Sequence, residues 1–138
     1  MNALAERLTS GKDIALLAMR LVLAYGFYVP AMAKLNNFSD IITWFESLGI
    51  PAPGLNAFLA TATETSGVVL LTLGLGTRFI AFPLMVSMVV AIVTVHWGNG
   101  FNAGDNGFEI PLYYLIMLFT LMTSGSGKYS LDRVLRLA

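Results

Sequence analysis

Apolar positions along the chain gather into four long runs, and the polar positions between them mark where each run stops. The first run covers 14–33 and is interrupted only by Arg20. At ~1.5 Å per residue, a helix of that length crosses a hydrocarbon core of ~30 Å. The run ends Ala31-Met32-Ala33, as a cleavable leader would. A leader core is shorter, roughly 7–15 residues, and carries no internal arginine, so the run reads as a retained span. Over 38–48 the period changes: Phe38, Ile41, Ile42, Phe45 and Leu48 recur at three- and four-residue spacing among polar neighbours. That pattern predicts a short amphipathic helix, capped by Ser39 and ended by Gly49 ahead of Pro51 and Pro53. Too short to span, it lies along the membrane interface or packs as a lid over the bundle.

The second run, about 55–75, carries Glu64 near its middle, with Ala60, Gly67 and Gly74 seven residues apart as a stripe of small residues. Such a stripe lets another helix approach closely, within the bundle or in a second copy. A tight turn through Gly74 and Arg78 leads to the third run, about 79–97, with Pro83 in its first turns. A Gly- and Asn-rich loop follows, then the fourth run, about 108–123, and a polar tail ending in a short helix with Arg133 and Arg136.

Composition sharpens this picture. Hydrophobic residues make up 57% of the 138 and charged residues 12%, with a mean hydropathy of +0.74. Soluble domains carry roughly 25% charged residues, so lipid must serve as part of the solvent. The expected fold is all-α: a polytopic membrane protein in one domain, 1–138, built as a four-transmembrane-helix bundle. Arg7, Lys12, Arg78, Lys128, Arg133 and Arg136 fall on one side of such a bundle and Lys34 alone on the other. The excess of Lys and Arg on cytoplasmic loops then places both termini in the cytoplasm.

Several chemistries drop out. No basic tract with interleaved aromatics marks a nucleic-acid module. Cysteine is absent and His96 is the single histidine, which excludes disulfides, iron–sulfur clusters and a bis-histidine haem within one chain. Asp105 and Glu109 with one histidine make a weak donor set, and no metal site is expected.

What remains is a set of ionisable groups at membrane depth. A charge near the bilayer centre costs at least ~2.5–3.5 kcal/mol, so each should find a partner inside the bundle. Counting depth along the runs places Arg20 within snorkelling reach of Glu64, and Lys34, His96 and Glu109 together at the outer level. Arg20 and Lys34 also share a face, about 40° apart at 100° per residue, with Tyr28 on a neighbouring strip. Glu109 and Tyr113 belong to a polar stripe on the fourth run. The expectation is a polar cavity open outward, with an Arg20–Glu64 pair as its floor. Glu64, His96 and Glu109 are its candidate proton-handling groups, and Arg20, Tyr28, Lys34 and Tyr113 its ligand contacts. The same ion pairs could instead serve only to fix helix register.

Six segments, taken in order, resemble the DoxX family of small membrane proteins. They are Lys34-Leu35, the stretch from Leu48 through Gly49, Ile50 and Pro51 to Pro53, Glu64, the turn from Gly74 to Arg78, His96 with Gly107-Phe108-Glu109, and the tail from Gly125 to Asp132. Ser126 stands where that family's tail motif has proline. The resemblance implies a multi-pass protein of a bacterial or archaeal plasma membrane and quinone-linked oxidation or quinone detoxification. It therefore implies a quinone as the cofactor to look for and a redox partner protein to supply electrons. Two other functions stay open: a non-catalytic scaffold or assembly protein, and a proton-coupled transporter of aromatic compounds acting as a homo-oligomer.

Overall fold

The computed structural model describes residues 2–137, and those residues form helices and turns with no strand among them. A short helix α1 (Ala3–Ser10) runs through Gly11 into the long α2 (Lys12–Asn36). The amphipathic α3 (Phe38–Ser47) follows, then α4 (Pro53–Leu73), α5 (Thr77–Ala91), α6 (Glu109–Ser124) and the single turn α7 (Leu131–Val134). α5 continues through a π-helical turn, Ile92–His96, into a 3₁₀ turn, Trp97–Asn99. Two helical stretches, Ala3–Asn36 and Thr77–Asn99, are long and apolar enough to cross a membrane by length and composition. α6 is apolar but shorter, and α4 has the length but carries threonines and Glu64.

The four long helices pack α2 against α4, α4 against α5 and α5 against α6, while α3 lies on α4. Leu23, Phe27, Leu71, Leu84, Leu118 and Leu121 are fully buried between them. Large apolar side chains also cover the outside: Tyr25, Val29, Phe58, Phe79, Phe82 and Phe119 are all exposed. An exterior this apolar suits lipid, where helix association rests on close packing rather than on burying apolar surface from water. Small residues supply that closeness. A Cβ at Gly26 would overlap the Tyr114 hydroxyl, and one at Gly67 would sit 2.9 Å from Leu84. Gly67 and Gly74 of the small-residue stripe therefore spend their space inside the bundle, against Leu84 and against Arg20 with Ser130.

Two local expectations change. Asn37, not Ser39, precedes α3, and Ser39 lies inside the helix with its carbonyl accepting from the Thr43 hydroxyl at 3.2 Å. The reason is that α2 persists to Asn36 and leaves only one residue for the corner. The second correction concerns Arg20, which does not meet Glu64. Its guanidinium, fully buried, donates to the Leu71 carbonyl at 3.1 Å and to the Tyr129 carbonyl. Side chains on a helix tilt toward its N-terminus. Arg20 therefore reaches toward the end of the bundle that holds the chain termini, away from Glu64.

At that end the tail folds back and is clasped. Asp132 is the hub: Oδ1 accepts from the Gly76 amide at 2.8 Å, and Oδ2 from the Thr77 amide at 3.3 Å and the Ser126 hydroxyl at 2.6 Å. Its carboxylate thus caps the first turn of α5 from a distant part of the chain, where a helix N-terminus favours an anion. The Asp132 amide donates to the Gly74 carbonyl at 3.0 Å. Gly74 has φ +68°, and a Cβ there would collide with Arg20 Nη1, so both backbone and space call for glycine. Arg78 donates to the Thr123 carbonyl at 3.0 Å, and the Lys128 amide to Asp13 at 2.9 Å. Burial by itself would raise the Asp132 pKa, but Ser126, the Gly76 and Thr77 amides and nearby Arg20 together hold it below its ordinary value.

Candidate functional site

Between α3, α4 and α5 lies a cavity of about 380 Å³. The lid helix α3 contributes Trp44 and Phe45; α4 contributes Asn56, Leu59, Ala60, Thr63 and Glu64. α5 and its π-helical extension contribute residues from Pro83 to Val95, and Lys34 reaches in from the last turns of α2. The wall is apolar apart from the hydroxyls of Thr63, Ser87 and Thr94 and the Asn56 amide, and Lys34 and Glu64 are its charged members.

Local sequence explains this construction. Gly49, at φ +79°, lets the chain leave α3, and the Ile50 amide bonds back to the Phe45 carbonyl at 3.1 Å. Pro53 then starts α4, where its missing N–H costs nothing. The Asn56 side chain ties down that entry by donating to the Pro51 carbonyl at 2.5 Å. The stretch from Leu48 to Pro53 thereby holds the amphipathic helix over the cavity as a lid. On the opposite wall, Ala91, Thr94 and Val95 belong to the segment where α5 widens into its π turn, a distortion that often accompanies functional sites.

Lys34 and Glu64 form an ion pair. Nζ lies 3.0 Å from Oε2 and 3.3 Å from Oε1, with side-chain exposures of 12% and 7%. The ammonium thus contacts both carboxylate oxygens, the buried Oε2 as the nearer ion-pair contact and Oε1 through the hydrogen bond. The same tilt that carries Arg20 away explains why these two meet. Lys34 leans back from the end of α2 toward its middle, while Glu64, on an antiparallel helix, leans toward the end where Lys34 sits.

The remaining candidates are dispersed. Lys34, His96 and Glu109 share no hydrogen bond or ion pair with one another, and each bonds a different partner. His96 Nδ1 is 2.9 Å from the Asn106 carbonyl, so this nitrogen must carry the proton. Glu109 accepts from the Ala103 amide at 3.0 Å and from the Tyr113 hydroxyl at 3.0 Å, closing the loop before α6. Gly107 belongs to the same closure, since a Cβ there would strike the Gly100 carbonyl. Tyr28 and Tyr113 are half exposed on the outside of the bundle, 51% and 45%, and neither lines the cavity. Arg20 belongs to the tail clasp. Of the seven candidates, the structure brings Lys34 and Glu64 together at the cavity, and Glu109 with Tyr113 elsewhere. Sequence reasoning missed the role of Asp132; its signal was an acidic residue following a Gly-Ser-Gly turn beside an otherwise basic tail. An apolar cleft between spans is legible in the sequence, but the residues of its wall are not, because they carry no chemistry that distinguishes them from lipid-facing ones.

Among the described residues no group of His, Cys, Asp and Glu is placed to hold a metal ion. The DoxX family model matches residues 15–97, and every residue lining the cavity falls inside that stretch. An uncharacterized protein of Haemophilus influenzae is 33% identical over 91% of this chain and 86% of its own length. The Bacillus subtilis protein named "Putative oxidoreductase CatD" is 30% identical over 87% of this chain and 86% of its own. The Escherichia coli "Inner membrane protein YphA" is 26% identical over 90% of this chain and 92% of its own. No solved structure matches the chain. A family match over most of the helical bundle, with relatives aligned along nearly the full length, shows that this chain is a membrane protein of the DoxX family.

Proposed function

We propose that the chain crosses the plasma membrane four times with both termini in the cytoplasm, and that the Lys34–Glu64 cavity binds the ring of a quinone or quinol. The clasped end of the bundle carries Lys12, Arg78, Lys128, Arg133 and Arg136, which supports that orientation by the positive-inside rule. The observation that carries the ligand is the cavity itself. Its volume, about 380 Å³, falls in the ~300–1,000 Å³ range of small-molecule sites. Its walls suit an aromatic ring, and its charged members offer one ammonium donor and one carboxylate acceptor, held together as an ion pair. Such a pair can hold a ring oxygen and handle its proton. The name of the Bacillus subtilis relative points to oxidoreduction as well.

A quinone would supply the redox chemistry when bound. The chain's own residues would orient it: Lys34 donates to one ring oxygen, and α3 closes the cavity over the ring. With no cysteine and one histidine, the chain offers no ligands for a cluster or a bis-histidine haem, so a partner protein would supply or take the electrons. We therefore place it as an accessory subunit of quinone-linked redox or quinone detoxification. The test is thermal unfolding of the purified protein in detergent with ubiquinone and menaquinone analogues. A saturable rise in Tm, lost in the Lys34→Met/Glu64→Gln double variant, is the expected result. No rise with any analogue, in a folded sample, overturns the reading and leaves the pair as a structural tie between α2 and α4.

A further inference from the structure

We propose that the clasped end of the bundle is a docking surface for anionic phospholipid: α1 and the tail turn α7 lie in the headgroup layer of the surrounding leaflet and hold the phosphates of acidic lipids. This surface is at the far end of the bundle from the lid α3 and shares no residue with the cavity.

The chain is neutral overall, yet its charges are sorted by height. Arg20 and Asp132 offset one another within the clasped end, and Lys34 and Glu64 do so at the cavity. Of the rest, Arg7, Lys12, Arg78, Lys128, Arg133 and Arg136 stand at the clasped end against Glu6 and Asp13, six positive charges to two negative. Asp40, Glu46, Asp105 and Glu109 stand on α3 and around the loop before α6, four negative charges with no positive one among them. The two ends therefore carry +4 and −4. The amino end and the tail share one level because the Lys128 amide bonds to Asp13 at 2.9 Å. Among the described residues, the side chains of Arg7, Lys12, Arg133 and Arg136 have no ion-pair partner.

Apolar side chains stand among these cations. No residue of α1 is buried, and Leu4 and Leu8, one turn apart on one stripe, are 66% and 69% exposed. At 100° per residue, Arg7 lies roughly 100° from the centre of that stripe, where its guanidinium can snorkel, while Glu6 lies roughly 150° away on the opposite face. In the tail, Val134, Leu135 and Leu137 are likewise exposed beside Arg133 and Arg136. Apolar anchors flanked by cations fit a surface of acidic headgroups. α2, with 25 residues at ~1.5 Å each, already exceeds a ~30 Å hydrocarbon core, so α1 begins at headgroup level. Gly11 joins the two helices, its amide on the Leu8 carbonyl at 3.1 Å, and a glycine joint leaves α1 free to turn along the surface. Lipid is the occupant already at hand: Phe79, 86% exposed beside Arg78, carries the apolar exterior of the bundle up to this end.

The chain has no cysteine, so Leu8→Cys accepts an environment-sensitive NBD label on α1 without further substitution. The labelled protein is reconstituted into nanodiscs of phosphatidylcholine alone, and of phosphatidylcholine with about a third phosphatidylglycerol. Emission should be shifted to the blue in the mixed discs relative to phosphatidylcholine. The shift should fade as salt rises from about 0.1 to 1 M, where the Debye length falls from ~10 to ~3 Å. Each basic side chain near an anionic leaflet contributes about fivefold, so Arg7→Gln/Lys12→Gln/Arg133→Gln/Arg136→Gln should weaken seating by more than about a hundredfold and abolish the shift. Its Tm in detergent should match that of the labelled parent, because none of the four side chains bonds within the clasp. The salt series tests the same point with no change to these residues.

Equal emission in the two kinds of disc overturns the proposal. If both are blue, the leucines alone seat α1; if both are aqueous, the basic end is left for an acidic protein. A blue shift that survives high salt, or survives in the quadruple variant, overturns it as well, because charge is then not what α1 reads.

Discussion

Replacing Asp132 by asparagine keeps the side chain's shape and removes its charge, which makes it a direct test of the tail clasp. The carboxylate accepts from the Gly76 amide, the Thr77 amide and the Ser126 hydroxyl, at 2.8, 3.3 and 2.6 Å. The carboxamide in its place would retain one acceptor oxygen and turn an NH₂ toward at least one of those donors. Losing a hydrogen bond to a charged group costs about 1.5–3 kcal/mol. Arg20 is near enough for its charge to lower the Asp132 pKa, but the two form no ion pair within 4 Å, so its lost attraction adds to that cost rather than dominating it. Arg20 keeps its bonds to the Leu71 and Tyr129 carbonyls, so a working figure is about 3 kcal/mol, the upper end of the hydrogen-bond cost. At about 1.4 kcal/mol per tenfold, the undocked tail becomes roughly a hundredfold more populated. Hydrogen exchange reads this directly, because the Asp132 amide is protected by its bond to the Gly74 carbonyl. Exchange at that amide and at Gly76 should accelerate by about two orders of magnitude, with little change in the middle of α4. If tail exchange stays within about threefold of wild type, the clasp does not hold the tail and the reasoning fails. The sign with pH is also set. Asp132 has a lowered pKa in the folded protein, so its contribution is full above the ordinary value of 3.8 and is lost as pH falls through the lower folded value. The gap between wild type and Asp132→Asn should therefore close in acid.

Other expectations follow from the same contacts. Lys34→Met should destabilise the bundle by about 3–5 kcal/mol by stranding Glu64, and adding Glu64→Gln should recover most of it; additive single effects in thermal unfolding would show that the pair is not coupled. Arg20→Gln and Glu64→Gln should add within about 0.5 kcal/mol, since the two residues answer to different partners; a strong coupling would restore the pairing that depth alone suggests. Gly74→Ala should cost more than about 1–2 kcal/mol, from its left-handed backbone and the collision of the added carbon with Arg20 Nη1. Gly54→Ala, with nothing within 4 Å of the added carbon, should stay within about 0.5 kcal/mol of wild type, and equal Tm losses at the two glycines would contradict the packing described.

By itself the sequence determined the helices. Apolar runs long enough for a bilayer, the change of period at Phe38 and the Gly and Pro punctuation around Pro51 and Gly74 are local signals, and local signals set where a helix starts and stops. They placed α2, α4 and α6 within a few residues and identified α3 as the short amphipathic piece that turned out to roof the cavity. Tertiary structure decided the partners. Helical depth locates a Cα, but a long side chain reaches several ångströms toward its own N-terminus, which carried Arg20 to the tail and brought Lys34 to Glu64. The role of Asp132 joins residues more than fifty positions apart, and no periodicity encodes such a contact. The cavity likewise exists only where α3, α4 and α5 fail to close on one another, a property of three helices together and of no residue alone.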